Sequence, residues 1–161
     1  MILVDTNILS TFAKVDSLDL LRKMFGKMHI SPNVFEEVKR AEELGYPHAE
    51  NILAWVRDDI ISIACPNESE IELMDKVPSS FGRGERDCVA MAMKRDALIV
   101  TNERKVLNYC EENDLAHVRL NTILRELCKK EIMKEKEVRF LINKMEEEDN
   151  LIITDISSIF S

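Results

Sequence analysis

Five short apolar runs, each separated from the next by a segment of helical pattern, constrain this chain more than any other feature of its sequence. Residues 2–4, 28–31, 60–63, 97–101 and 116–118 read as strands. Between them lie a helix opening at Asp5-Thr6-Asn7 and helical patterns over 18–28, about 33–44, 48–57, 68–76, about 85–95 and about 103–112. Pro32 suits a first helical turn and Gly45 a helix end. Short buried strands alternating with helices predict βαβ units, hence an α/β fold with a central, mostly parallel sheet and helices on both faces. Its crossovers are right-handed by rule. Only 4 glycines and 4 prolines are present, too few for a hairpin-rich sandwich or barrel.

From Asn121 the pattern changes. Ile123, Leu124, Leu127 and Cys128 mark one amphipathic helix, and Val138, Leu141, Ile142 and Met145 mark another. We therefore expect a main domain over 1–120 and a C-terminal helical pair over 121–161, packing on that domain or on a partner. The tail Leu151–Phe160 (LIITDISSIF) is too apolar for solvent and is expected to add an edge strand or to meet a second chain.

The formal net charge is −8 over 161 residues, which argues against a protein that coats DNA or an anionic membrane. It leaves room for a nuclease whose acidic site recruits metal ions. No run approaches the ~18 apolar residues of a membrane span. The opening MILVDTNIL has no basic segment or cleavage site of a signal peptide. A soluble, cytoplasmic protein is expected. The cysteines at 65, 88, 110 and 128 have no CxxC spacing, and none pairs with His29, His48 or His117 at zinc-ligand spacing, so they read as structural thiols.

Carboxylates recur at strand ends and helix starts: Asp5, Glu36/Glu37, Glu85/Asp87 and Glu103. In open parallel sheets the site lies beyond the carboxyl ends of the strands. At about 100° per residue, Glu37 falls about 60° from Val34, beside the apolar stripe of its helix, and Glu36 faces away. By the same count Glu85 lies about 40° from Val89, inside its stripe, and Asp87 about 160° away. Glu37 and Glu85 are thus the inward candidates. Each acid alone also reads as a cap, a first-turn partner of the helix dipole or a salt-bridged surface group. Together they would repel, by about 4 kcal/mol per pair at ~4 Å and an effective dielectric near 20. Four together are tolerable only with bound cations or several basic partners, and oxygen-only ligands favour Mg²⁺ or Mn²⁺.

These residues carry a resemblance. Val4-Asp5-Thr6-Asn7-Ile8-Leu9, Pro32 to Val38 (PNVFEEV), Gly82 to Ala92 (GRGERDCVAMA) and Leu98 to Glu103 (LIVTNE) resemble, in order, the four acidic motifs of PIN-domain nucleases such as VapC-like toxin ribonucleases. The resemblance spans about 1–120. It implies Asp5, Glu37, Glu85 and Glu103 as catalytic acids, with Asp5, Glu85 and Glu103 as metal ligands and Asp87 as an accessory acid. The fourth position is usually aspartate in that family; here it is Glu103. Thr6, Asn7, Thr101 and Asn102 are then expected to orient the carboxylates or a bound water. The implied activity is Mg²⁺- or Mn²⁺-dependent endoribonuclease cleavage, of the kind found in the toxin of a toxin–antitoxin pair, with a homodimer and a small antitoxin as partners. Arg83, Arg86, Arg104 and Lys105 flank the acids and are expected to contact RNA phosphates. A non-catalytic PIN-like scaffold or RNA-processing adaptor is the alternative. A nucleotide-binding domain is disfavoured, because neither a P-loop nor GxGxxG follows the first strand.

Overall fold

The structure, a computed structural model, describes all 161 residues. Five parallel strands form one sheet: β1 (Ile2–Val4), β2 (Met28–Ile30), β3 (Ile61–Ile63), β4 (Leu98–Val100) and β5 (His117–Val118), in the order β3-β2-β1-β4-β5. Each strand has only two or three residues, so alternation assigns them cleanly to two faces. Val4 and Val100 enter one core; Leu3 and Ile99 enter the other.

The larger core takes α1 (Thr6–Lys14), α2 (Leu18–Phe25), α3 (Pro32–Glu43) and α4 (Pro47–Arg57). It also takes α8 (Leu120–Lys129) and α9 (Glu135–Asp149), through Ile123, Leu124, Leu127, Val138, Leu141, Ile142 and Met145. The smaller core lies under α6 (Arg83–Lys94) and α7 (Arg104–Glu112), where Cys88, Val89, Met91, Val106 and Cys110 are buried. Between β3 and α6 come α5 (Glu68–Leu73) and a 3-10 turn at Met74–Lys76. No helix is long and apolar enough to cross a membrane.

Two expectations are corrected. The helix expected over 18–28 stops at Phe25, because Gly26 follows at φ 68°, a left-handed conformation that costs glycine little. The apolar tail adds no strand; it turns into α10 (Ile156–Ile159), which packs on α8 and buries Ile153 and Ile159 in the larger core. The near absence of glycine also has a local explanation. After α1, α4 and α7 the left-handed position past the helix end is filled by Asp16, Asp59 and Asp114. Aspartate tolerates that region better than most side chains.

Candidate active site

The order β3-β2-β1-β4-β5 reverses direction between β1 and β4, and there the backbone N–H of Asp5 donates to Val100 O at 2.9 Å. Asp5 therefore sits at the switch point of the sheet, where doubly wound folds open a crevice. Its side chain caps α1, accepting from the Thr6 N–H at 2.8 Å. Its second oxygen accepts from the Thr101 hydroxyl at 2.9 Å. Asp5 is only 5% exposed. Burial pushes its carboxyl up to about 6; the bonds from Thr101 and Thr6 oppose the rise, and the charges of Glu85 and Glu37 add to it.

The other acids reach this edge from neighbouring helices. Glu37, one turn into α3, accepts a hydrogen bond from the Thr6 hydroxyl. Gly84 makes that approach of α3 and α6 feasible: a Cβ there would stand 2.8 Å from Val34 Cγ2 and 3.1 Å from Glu37 Oε1. Glu85 turns back on its own helix and accepts from the Gly82 N–H at 2.8 Å. Asp87 departs from its expected outward phase: it is 3% exposed and accepts from Asn33 Nδ2 at 2.8 Å. A helix with one buried face would point Asp87 outward, but α6 is wedged against α3, α5 and α7 and buries Gly84 and Asp87 through Ala92. Asn33 is thus a contributor that the sequence reading missed; its signal is a polar side chain in the first turn of a helix that starts just past β2.

Glu103 occupies the N-cap position of α7 without a side-chain capping bond, and its N–H donates to Thr101 Oγ1 at 3.2 Å. It is not among the charges that raise Asp5. Asn7 Oδ1 accepts from the Asn102 N–H at 3.3 Å, tying the β1 and β4 turns together. Cys88 marks the centre of the remaining group: burial first, then the charges of Asp5, Asp87, Glu37 and Glu85, push its thiol well up. Glu37 and Glu85 thus act on Asp5, and these three with Asp87 act on the Cys88 thiol; Glu103 is among the causes of neither shift.

All seven ion pairs of the chain lie elsewhere, so none of these five acids makes a direct ion pair with lysine or arginine, although Arg40 and Arg83 line the same depression as Glu37. The donors are all hard oxygens, which fits a divalent cation such as Mg²⁺. No three side chains yet gather as a ready ligand group. Glu37, Glu85 and Asp87 each accept one hydrogen bond from a neutral donor, worth about 1.5–3 kcal/mol to a charged acceptor. That is small beside the attraction of a dication.

The four flanking cations divide. Arg83 and Arg104 are exposed and unpaired. Arg86 is committed to the fold, donating to Met74 O at 2.9 Å with its Nε buried. Lys105 donates to Ser80 O at 2.8 Å and lies over the Phe81 ring.

A family model, DUF3368, described as a PIN domain, matches residues 1–156. The chain belongs to the PIN-domain family. No curated protein matches the sequence. Among solved structures, this PIN domain is similar to a chain of VapBC-1 from nontypeable Haemophilus influenzae, with 16% identity and a TM-score of 0.55 over 74% of this chain and 98% of that one. At that identity the likeness is one of fold: the five-stranded parallel sheet flanked by helices.

Proposed function

We propose that this PIN domain is a divalent-metal-dependent endoribonuclease and serves as the toxin of a toxin–antitoxin pair. The observation that carries the reading is Asp5, a buried carboxyl raised to about 6 at the sheet switch point, facing Glu37 and Glu85 with no basic partner. Perturbed acids of this kind cluster at functional sites. Asp5, Glu85 and Glu103 would hold Mg²⁺ or Mn²⁺, with Glu37 and Asp87 completing the negative field. When bound, the ion supplies activation of a water and neutralisation of the leaving oxygen. Thr101 and Thr6 fix the rotamers of Asp5 and Glu37 by donating to them. Asn7 and Asn102 hold the two turns in register. Arg83 and Arg104 would meet phosphates on either side of the scissile bond. A small antitoxin, a homodimer and a cytoplasmic location belong to the same reading.

A non-catalytic scaffold is the second reading, and one observation favours it: Glu85 is already engaged as the cap of its own helix. Incubation of the purified chain with structured RNA and Mg²⁺ or Mn²⁺, with and without chelator, separates the two. Metal-dependent cleavage that disappears in Asp5→Asn is the expected result. Equal cleavage by Asp5→Asn would end the nuclease reading, and absence of cleavage by the native chain would favour the scaffold.

A further inference from the structure

Five of the ten arginines, at 22, 40, 83, 104 and 119, form neither an ion pair nor a side-chain hydrogen bond. Their placement is uneven. Arg40 and Arg83 share a depression of about 410 Å³ with Asn33, Glu36 and Glu37, where the carboxylates balance them. Arg104 and Arg119 share another, of about 380 Å³, and there only Glu111 opposes them. Its remaining walls are mostly polar, including Asn108, His117 and Thr122. In a chain of net charge −8 this is a local excess of free cation.

The topology gives that excess a direction. Arg104 follows Glu103 directly past β4, and Arg119 follows directly past β5, the next strand. Both stand on the carboxyl edge that carries Asp5. From β1 to β5 is two strand spacings, about 10 Å at ~4.8 Å each. Even a stacked nucleic-acid strand advances only ~3.4 Å per nucleotide, so that distance covers more than one phosphate. His117 Nδ1 faces Leu115 O at 2.8 Å, which leaves the other ring nitrogen for the depression.

We infer that the depression between α7 and the start of α8 is a phosphate subsite for single-stranded RNA, holding the strand where it runs past the carboxylates toward β5. This rests on the proposed ribonuclease reading and adds the path of its substrate. Arg104 and Arg119 take the phosphates, as guanidinium groups do through paired N–H donors. Asn108 and Thr122 supply neutral donors beside them. At about 380 Å³ the depression is on the scale of a small-ligand pocket, enough for a single nucleotide.

The test is binding without turnover: anisotropy of an end-labelled single-stranded oligoribonucleotide, titrated with the full chain in EDTA at several salt concentrations. For single strands log K falls with log[salt] by about 0.7 per phosphate contact. Arg119→Gln should weaken binding for every sequence and make the slope shallower by about 0.7, and Arg104→Gln with Arg119→Gln by about 1.4. Arg22→Gln, an equal charge change on α2, should leave affinity and slope at the native values. The inference is overturned if Arg119→Gln behaves as Arg22→Gln does, if a blunt RNA duplex binds as tightly as the single strand, or if no binding is measurable. Binding that depends on Arg119, in a chain that never cleaves, would defeat the ribonuclease reading and leave the subsite standing.

Discussion

Thr101 Oγ1 donates to Asp5 Oδ2 at 2.9 Å, joining the ends of β1 and β4 across 96 positions of sequence. Thr101 is fully buried, and the same oxygen accepts from the Glu103 N–H. Replacing it by valine removes one of the two bonds that hold the Asp5 carboxyl down. Thr101→Val should move the Asp5 midpoint above about 6, read by carboxyl NMR titration. It should also cost about 1–3 kcal/mol in urea unfolding, the penalty of a buried acceptor left unmade.

The raised Asp5 carboxyl makes a pH signature with a definite sign. Its contribution favours the fold fully below the ordinary aspartate value near 4 and is lost as pH rises through about 6. Asp5→Asn removes that cost, and the amide can still meet Thr6 and Thr101. In chelator the variant should therefore be more stable than the native chain at pH 8, by on the order of 3 kcal/mol, with the gap closing toward pH 4. Added Mn²⁺ should raise the melting temperature of the native chain at neutral pH and leave Asp5→Asn unmoved.

Glu70 has the opposite sign. Its side chain is fully buried and takes both an Nε and an Nη donor of Arg95, each at 2.7 Å. The bond from Arg95 first, then the Asn67 N–H and the Arg95 charge, outweigh burial and hold its carboxyl below the usual range. Its stabilisation is present above the ordinary glutamate value and is lost as pH falls through the lowered one. Arg95→Ala strands that carboxylate in the interior and should cost about 3–5 kcal/mol at pH 7, measured by the urea midpoint.

Gly84→Ala tests the closeness of α3 and α6. The new methyl would meet Val34 Cγ2 at 2.8 Å and Glu37 Oε1 at 3.1 Å, so the helices must separate. The expected loss is about 1–3 kcal/mol of stability. RNA cleavage should fall with it, since Glu37 is carried on the displaced helix. Retained cleavage in a destabilised variant would remove Glu37 from the site.

The strands were legible because an apolar run of three or four residues between helical patterns has few other uses. The end they share followed from the same pattern, and with it the neighbourhood of Asp5 and Thr101. Strand order and the exact meeting of acids were not legible, because they depend on which helices crowd together. Asp87 illustrates this: its phase points it outward from α6, but α3 lies on that side and Asn33 receives it. Arg86 looks like a surface cation from its neighbours, yet Met74 O, brought up by the 3-10 turn, binds it inward. The apolar tail signalled burial but not shape, since burial on α8 suits a short helix as well as a strand.

The pairing of β1 with β4 also sets when the acids can assemble. Leu3 lies against Ile99, and the Asp5 amide is satisfied only by Val100. A chain emerging from synthesis through Asp87 already holds four of the five carboxylates, but not the strand and the hydroxyl that fix the first of them. Contacts between such distant segments close late, because the intervening loop entropy must be overcome first. A half-made copy therefore lacks the partners that fix Asp5, and the acidic cluster matures only after its sheet is whole.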